Sequence, residues 1–122
     1  MKILLLMILF HILDDFVLQP VCLAKLKQKS WWEENAPEEQ YSFDYLTALA
    51  IHALSWSIMI LVPPMFVKVI PGYLLLLLVI TNTLIHALID DLKANKKTIN
   101  LTRDQLVHLT QIFFTWTIIY LI

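Results

Sequence analysis

The chain has 122 residues, of which 59% are hydrophobic and 16% charged, with a single glycine and a mean hydropathy of +0.71. A soluble domain of this size is about half apolar and about a quarter charged, so too little polar surface is present to cover a globule in water, and the composition points to one membrane domain. Nine Lys and Arg against ten Asp and Glu give a net charge of −1, which excludes a basic footprint for nucleic acid, and the one cysteine, Cys22, excludes an internal disulfide.

A spanning helix needs about 20 largely apolar residues. In chain order four stretches qualify, at about 3–19, 44–67, 73–92 and 104–122, and they predict an all-α fold: an antiparallel four-helix membrane bundle occupying residues 1–122 as a single domain. The first stretch resembles a secretory signal, but His11, Asp14 and Asp15 interrupt its apolar run and no small-residue cleavage site precedes Cys22, so it is read as a span. The loop 20–43 opens with Lys25, Lys27 and Lys29, passes Trp31 and Trp32 and turns acidic at Glu33, Glu34, Glu38 and Glu39, a pattern that predicts an interfacial helix followed by a mobile acidic turn. Pro63, Pro64, Pro71 and Gly72 punctuate the next connection, and the second span is expected to bend or end near Pro63. The loop 93–103 contributes Lys93, Lys96, Lys97 and Arg103. The two long loops thus hold seven basic residues against Lys2 and Lys68 on the other side, which puts both loops in the cytoplasm and both termini outside.

Each span carries one histidine: His11, His52, His86 and His108. Ionisable groups inside spans are costly and face the bundle interior, so they are functional hypotheses by default. Helical spacing groups His11, Asp15 and Gln19 on one stripe, Asn82, His86, Asp90 and Lys93 on a second, and Asp104, His108, Gln111 and Thr115 on a third, while the second span offers Asp44, His52 and Ser55. At a rise of about 1.5 Å per residue, His11, His52 and His86 lie roughly 10–12 Å below the cytoplasmic surface, and Asp15, Asp90 and His108 roughly 4–7 Å below it. One layer can hold all six. The echo between His11-Ile-Leu-Asp14-Asp15 and His86-Ala-Leu-Ile-Asp90-Asp91 allows two parallel hairpin repeats with a site at their interface.

The segments His11-x-x-x-Asp15-Phe16-x-x-Gln19, His52, His86-x-x-x-Asp90-x-x-Lys93 and Asp104-Gln105-x-x-His108 resemble the signature of a bacterial family of small multi-span membrane proteins catalogued as a domain of unknown function. The resemblance covers most of the chain and implies a bacterial inner-membrane protein, with no activity attached. Asp14 and Asp91 stand beside the pattern, which makes Asp15 and Asp90 the expected inward-facing acids.

Imidazoles with a carboxylate are the ligand set that zinc prefers, and an open position would lower the pKa of a bound water to about 7. His11, His86 and His108 with Asp15 or Asp90 are therefore expected to converge on one divalent ion, with His52 completing the set or standing behind it. Asp90 or Asp104 would orient a ligand histidine or act as general base, and Lys93 or Arg103 would hold an anionic group at the level of the membrane-lipid headgroups. The resulting expectation is a metal-dependent hydrolase acting on a lipid or an anionic cytoplasmic substrate. Two alternatives stay open: a proton- or cation-coupled transporter, and an assembly subunit in which His and Asp only hold helices together. The polar stripes stop halfway through the membrane, so a continuous path would need a homodimer interface. Lys93 could equally do no more than neutralise Asp90. Trp56, Phe113, Phe114, Trp116 and Tyr120 are expected as lipid-facing or packing aromatics without chemistry.

Overall fold

A computed structural model describes residues 1–122 as an all-helical chain without strands. Helix α1 (Lys2–Ile12) runs without a break into a π-helical turn, Leu13–Leu18, which stops at Gln19 in an extended conformation. The stop follows from Pro20, because a proline disfavours helical backbone in the residue before it. Two short helices come next, α2 (Val21–Leu26) and α3 (Lys29–Asn35), and a 3-10 turn, Glu39–Tyr41. Three long helices complete the chain: α4 (Asp44–Val67), α5 (Gly72–Ala94) and α6 (Leu101–Leu121). The segment expected as one interfacial helix is two, divided where Gln28 is extended, and Trp32 ties them by donating from Nε1 to the Leu26 carbonyl at 2.8 Å.

Of the expected bend or end near Pro63 the end does not occur, and α4 runs over the expected span to Val67. Pro63 and Pro64 lack only two donors, those owed to the carbonyls of Met59 and Ile60, so the loss falls within the last two turns, where both rings are buried. Pro71 then caps α5, its carbonyl accepting from Leu74 and Leu75 N–H at 2.9 Å each. At α6 the Asn100 side chain accepts from Arg103 N–H at 2.9 Å, an N-cap that fixes the start of the helix.

The long elements touch in cyclic order: α1 on α4, α4 on α5, α5 on α6 and α6 on α1, with α2 and α3 lying against α4. Inside this ring one end is apolar, built from Met7, Ile60, Leu61, Leu78, Ile112 and Ile119, with Trp56 at its boundary. The other end is polar. Of the 24 buried residues twelve are polar or charged, whereas Leu5, Phe66, Leu76 and Phe114 are more than 60% exposed. The usual distribution of a soluble protein is thereby inverted.

Four spans were expected. Two helical stretches are long and apolar enough to cross a membrane, Glu39–Val67 with 29 residues and Gly72–Ala94 with 23. The outer pair falls short of that measure for a local reason. Helix α1 has only 11 residues before the turn that carries Asp14 and Asp15, and the first turns of α6 hold Arg103, Asp104, Gln105 and His108.

Candidate functional site

The π-helical turn shapes the first wall of the site. Its Gln19 N–H reaches back five residues to the Asp14 carbonyl at 2.9 Å, and the widened turn carries two successive acids toward the ring interior. Asp14, which the sequence pattern set aside, is buried and its Oδ1 accepts from Ser55 Oγ at 2.8 Å. The Asp15 side chain keeps 10% exposure. The two acids flank one ring: His52 Nδ1 lies 3.9 Å from Asp14 Oδ2, and His52 Nε2 lies 3.3 Å from Asp15 Oδ1.

Helices α4 and α5 bring His52 and His86 together at 3.2 Å between their Nε2 atoms, with Asp90 Oδ2 3.5 Å from the first and 3.9 Å from the second. One proton shared by the imidazoles would make this a hydrogen bond. A cation between the lone pairs gives nearly the same separations, since bonds of about 2.1 Å at the tetrahedral angle put neighbouring donors about 3.4 Å apart. On the far side His108 Nε2 lies 3.3 Å from Asp104 Oδ1 and 3.7 Å from Asp90 Oδ1. His86 is held between two faces, stacked on Trp56 at 4.3 Å and on His108 at 4.1 Å between ring centroids.

His11 sits differently from the expected ligand. Trp56 Nε1 donates to its Nδ1 at 2.7 Å, and because an indole can only donate, Nδ1 holds a lone pair and the proton is on Nε2. That proton is given to Gln105 Oε1 at 3.1 Å, and Gln105 Nε2 in turn donates to Asp104 Oδ2 at 3.1 Å. A hydrogen-bond chain of fixed direction thus runs from Trp56 through His11 and Gln105 to Asp104. Both ring nitrogens of His11 are engaged, so it orients its neighbours where the sequence placed it on an ion. Trp56, expected to face lipid or pack without a role, is fully buried as the first donor of this chain.

The sequence pattern missed one charged residue altogether. Lys27, at the end of α2, is buried with its ammonium 2.5 Å from Asp90 Oδ2 and 3.4 Å from Gln19 Oε1. Asn95 holds this corner, accepting from Lys29 N–H at 2.7 Å and donating to the Lys27 carbonyl at 3.1 Å. Lys93 donates to Asp104 Oδ2 at 2.6 Å and lies 3.8 Å from Asp90 Oδ1, so its first partner is Asp104. Arg103 is exposed. A cavity of about 290 Å³ opens beside this network, with Asp15, Gln19, Lys27, His52, Asp90 and Lys93 in its wall.

Several buried atoms have no hydrogen-bond partner, among them Asp15 Oδ1, Asp104 Oδ1, His86 Nδ1 and His108 Nε2. Unmade hydrogen bonds at buried polar atoms cost about 1–3 kcal/mol each, so such a concentration calls for a missing partner. Four sets of residues place their ligand atoms within 4.8 Å of one another: Asp15, His86 and His108; His52, His86 and Asp90; Asp14, Asp15 and His52; and Asp90, Asp104 and His108. Of the expected ligands, Asp15, His52, His86 and His108 belong to these sets and His11 to none. Asp90 and Asp104, expected as catalytic groups, join them as ligand candidates. These buried His/Asp groups could hold a metal ion.

The chain belongs to DUF3307, a family of proteins of unknown function, whose family model matches residues 3–122. No curated protein and no solved structure matches it.

Proposed function

We propose that the chain is an integral protein of the bacterial inner membrane, a four-helix antiparallel bundle that binds a zinc ion in its His/Asp layer. Near the cytoplasmic face it hydrolyses an ester, phosphoester or amide of a lipid or an anionic solute. The observation that carries this reading is the joining of donor atoms at ligand spacing to an open polar cavity: His52, His86 and Asp90 supply the donors, and two of these three line the cavity. The inverted distribution of polar and apolar residues supports lipid as the surrounding solvent, and the seven basic residues in the two long loops support the orientation.

A zinc ion in this position supplies an acidified water. The residues do the rest. Asp15 is the general base, because its side chain lines the cavity, whereas Asp104 is fully buried and outside the cavity wall. Lys27 and Lys93 stand where an anionic group would enter. Transport is the weaker alternative, since the plug of Met7, Ile60, Leu61 and Ile112 closes the other half of the ring to water and ions.

Elemental analysis and turnover test the reading together. Protein purified in detergent and reloaded with zinc is expected to retain it, His86→Ala to lose it, and Asp15→Asn to retain it while kcat falls by about 100-fold or more. Equal, substoichiometric metal in wild type and His86→Ala would leave only a structural network. Fully loaded protein that hydrolyses neither lipid extracts nor phosphorylated solutes, but conducts protons or cations in vesicles, would replace the enzyme by a transporter.

A further inference from the structure

Asp90 presents its two carboxylate oxygens to two different donor sets. Oδ2, which accepts from Lys27 Nζ, also faces His52 and His86, the ion position proposed above, at 3.5 and 3.9 Å. Oδ1 faces His108 Nε2 at 3.7 Å, and that nitrogen is 3.3 Å from Asp104 Oδ1. Asp90, Asp104 and His108 form a ligand-spaced set of their own, every member buried.

Hydrogen bonding sets this second group apart. Asp104 Oδ2 is well served, taking Lys93 Nζ at 2.6 Å and Gln105 Nε2 at 3.1 Å. Asp104 Oδ1 and His108 Nε2, on side chains with no exposure to solvent, make no well-aligned hydrogen bond and have only each other within 3.5 Å. The directed chain from Trp56 through His11 and Gln105 ends on the served oxygen and so fixes the orientation of the other. A carboxylate oxygen and an imidazole nitrogen held 3.3 Å apart, buried and poorly aligned for a hydrogen bond, pair as ions when the imidazole is protonated and, when it is neutral, have the spacing that a shared cation imposes on its ligands.

We infer that the His/Asp layer holds two divalent cations, the second between Asp90 Oδ1, Asp104 Oδ1 and His108 Nε2, with Asp90 bridging the pair. The inference rests on the first ion position proposed above. Bridging through both carboxylate oxygens puts the ions roughly 3.5–4 Å apart, the spacing of two-metal hydrolytic sites. Charge then defines the substrate class. Asp14, Asp15, Asp90 and Asp104 contribute four negative charges and Lys27 and Lys93 two positive ones, so with neutral imidazoles one divalent ion leaves the layer neutral and two leave it with a charge of +2. A site of that charge, opening on a cavity with both lysines in its wall, takes a phosphate monoester dianion. Its hydrolysis forms a P–O bond from water and breaks the P–O bond to the alcohol. Asp15 receives a proton of the water and returns it to the departing alkoxide, giving alcohol and inorganic phosphate.

The test uses the full chain in detergent, loaded with Mn²⁺ and freed of unbound ion. Two ions per chain with an exchange-coupled electron paramagnetic resonance spectrum are expected in wild type. In His108→Gln one ion with an uncoupled spectrum is expected, together with an activity loss of about 100-fold or more. One uncoupled ion in wild type overturns the second position while leaving the first intact, and no bound ion overturns both. The wild-type spectrum decides the matter even if the variant fails to fold. Vesicles containing phosphatidic acid and, separately, soluble p-nitrophenyl phosphate distinguish a lipid headgroup from a free phosphate ester as the source. Cleavage of neither by protein carrying two ions overturns the substrate class.

Discussion

Replacing Asp90 by Asn separates what the network does for stability from what it does for an ion. The Lys27–Asp90 pair is 2.5 Å long with side chains 8% and 3% exposed, and when the carboxylate is replaced by an amide the ammonium keeps only neutral acceptors, the amide oxygen and Gln19 Oε1 at 3.4 Å. A buried charge stripped of its partner costs about 3–5 kcal/mol, and Asp90→Asn is expected to lose that much. Lys27→Met removes the other charge but keeps most of the side chain's length, and the double variant leaves no buried lysine to compensate. It should therefore recover much of the loss, giving a coupling energy of about 2–3 kcal/mol. Unfolding in mixed micelles can be followed by tryptophan emission, since Trp56 is buried beside the pair's layer and one of only four tryptophans in the chain. Metal content supplies a second, independent axis: Lys27→Met keeps bound zinc, whereas Asp90→Asn loses it both alone and in the double variant. Single-variant losses that simply add, with coupling below about 0.5 kcal/mol, would refute the pairing.

Trp56→Phe keeps an aromatic face for His86 but takes away the donor to His11 Nδ1; a stability loss of about 1–3 kcal/mol is expected, and an unchanged ¹⁵N shift at His11 Nδ1 would refute the assigned tautomer. Ser55→Ala leaves Asp14 Oδ1 without its 2.8 Å donor and should cost about 1–3 kcal/mol in the same unfolding assay; no change would mean that Asp14 is solvated. Asn95→Ala releases both backbone bonds around Lys27, so amides of residues 27–35 should exchange faster while zinc content holds, and unaltered exchange would show that α2 and α3 are held by other contacts. A cysteine engineered at Lys96 should resist a membrane-impermeant label applied to intact cells; labelling from outside would reverse the proposed orientation.

Periodicity makes His11, Asp15, His52, His86, Asp90, Asp104 and His108 legible in the sequence, because side chains four apart on helices share a face and the layer is built from such faces. The same rule reaches Trp56, one turn from His52 on α4: of the two expected environments, lipid-facing or packing, it takes the second, and only its donor role lies outside the pattern. Asp14 escapes the rule because the rule assumes 3.6 residues per turn, and the segment Leu13–Leu18 is wound more widely. Its signal was energetic: two adjacent acids in an apolar segment each need a partner, and only one can be supplied along an α-helical stripe. His11 shows a different limit. Spacing places an imidazole in a layer, but which atom binds depends on what the other nitrogen meets, and that is decided by Trp56 and Gln105 from two other helices. Lys27 lies beyond both kinds of reasoning, since it belongs to a connection with no period to read. Charge accounting still constrains it. Beside a single Lys93 the buried Asp90 and Asp104 call for further positive charge, which a bound cation or a basic residue of the connection 25–29 can supply, and Lys27 is the residue that does so.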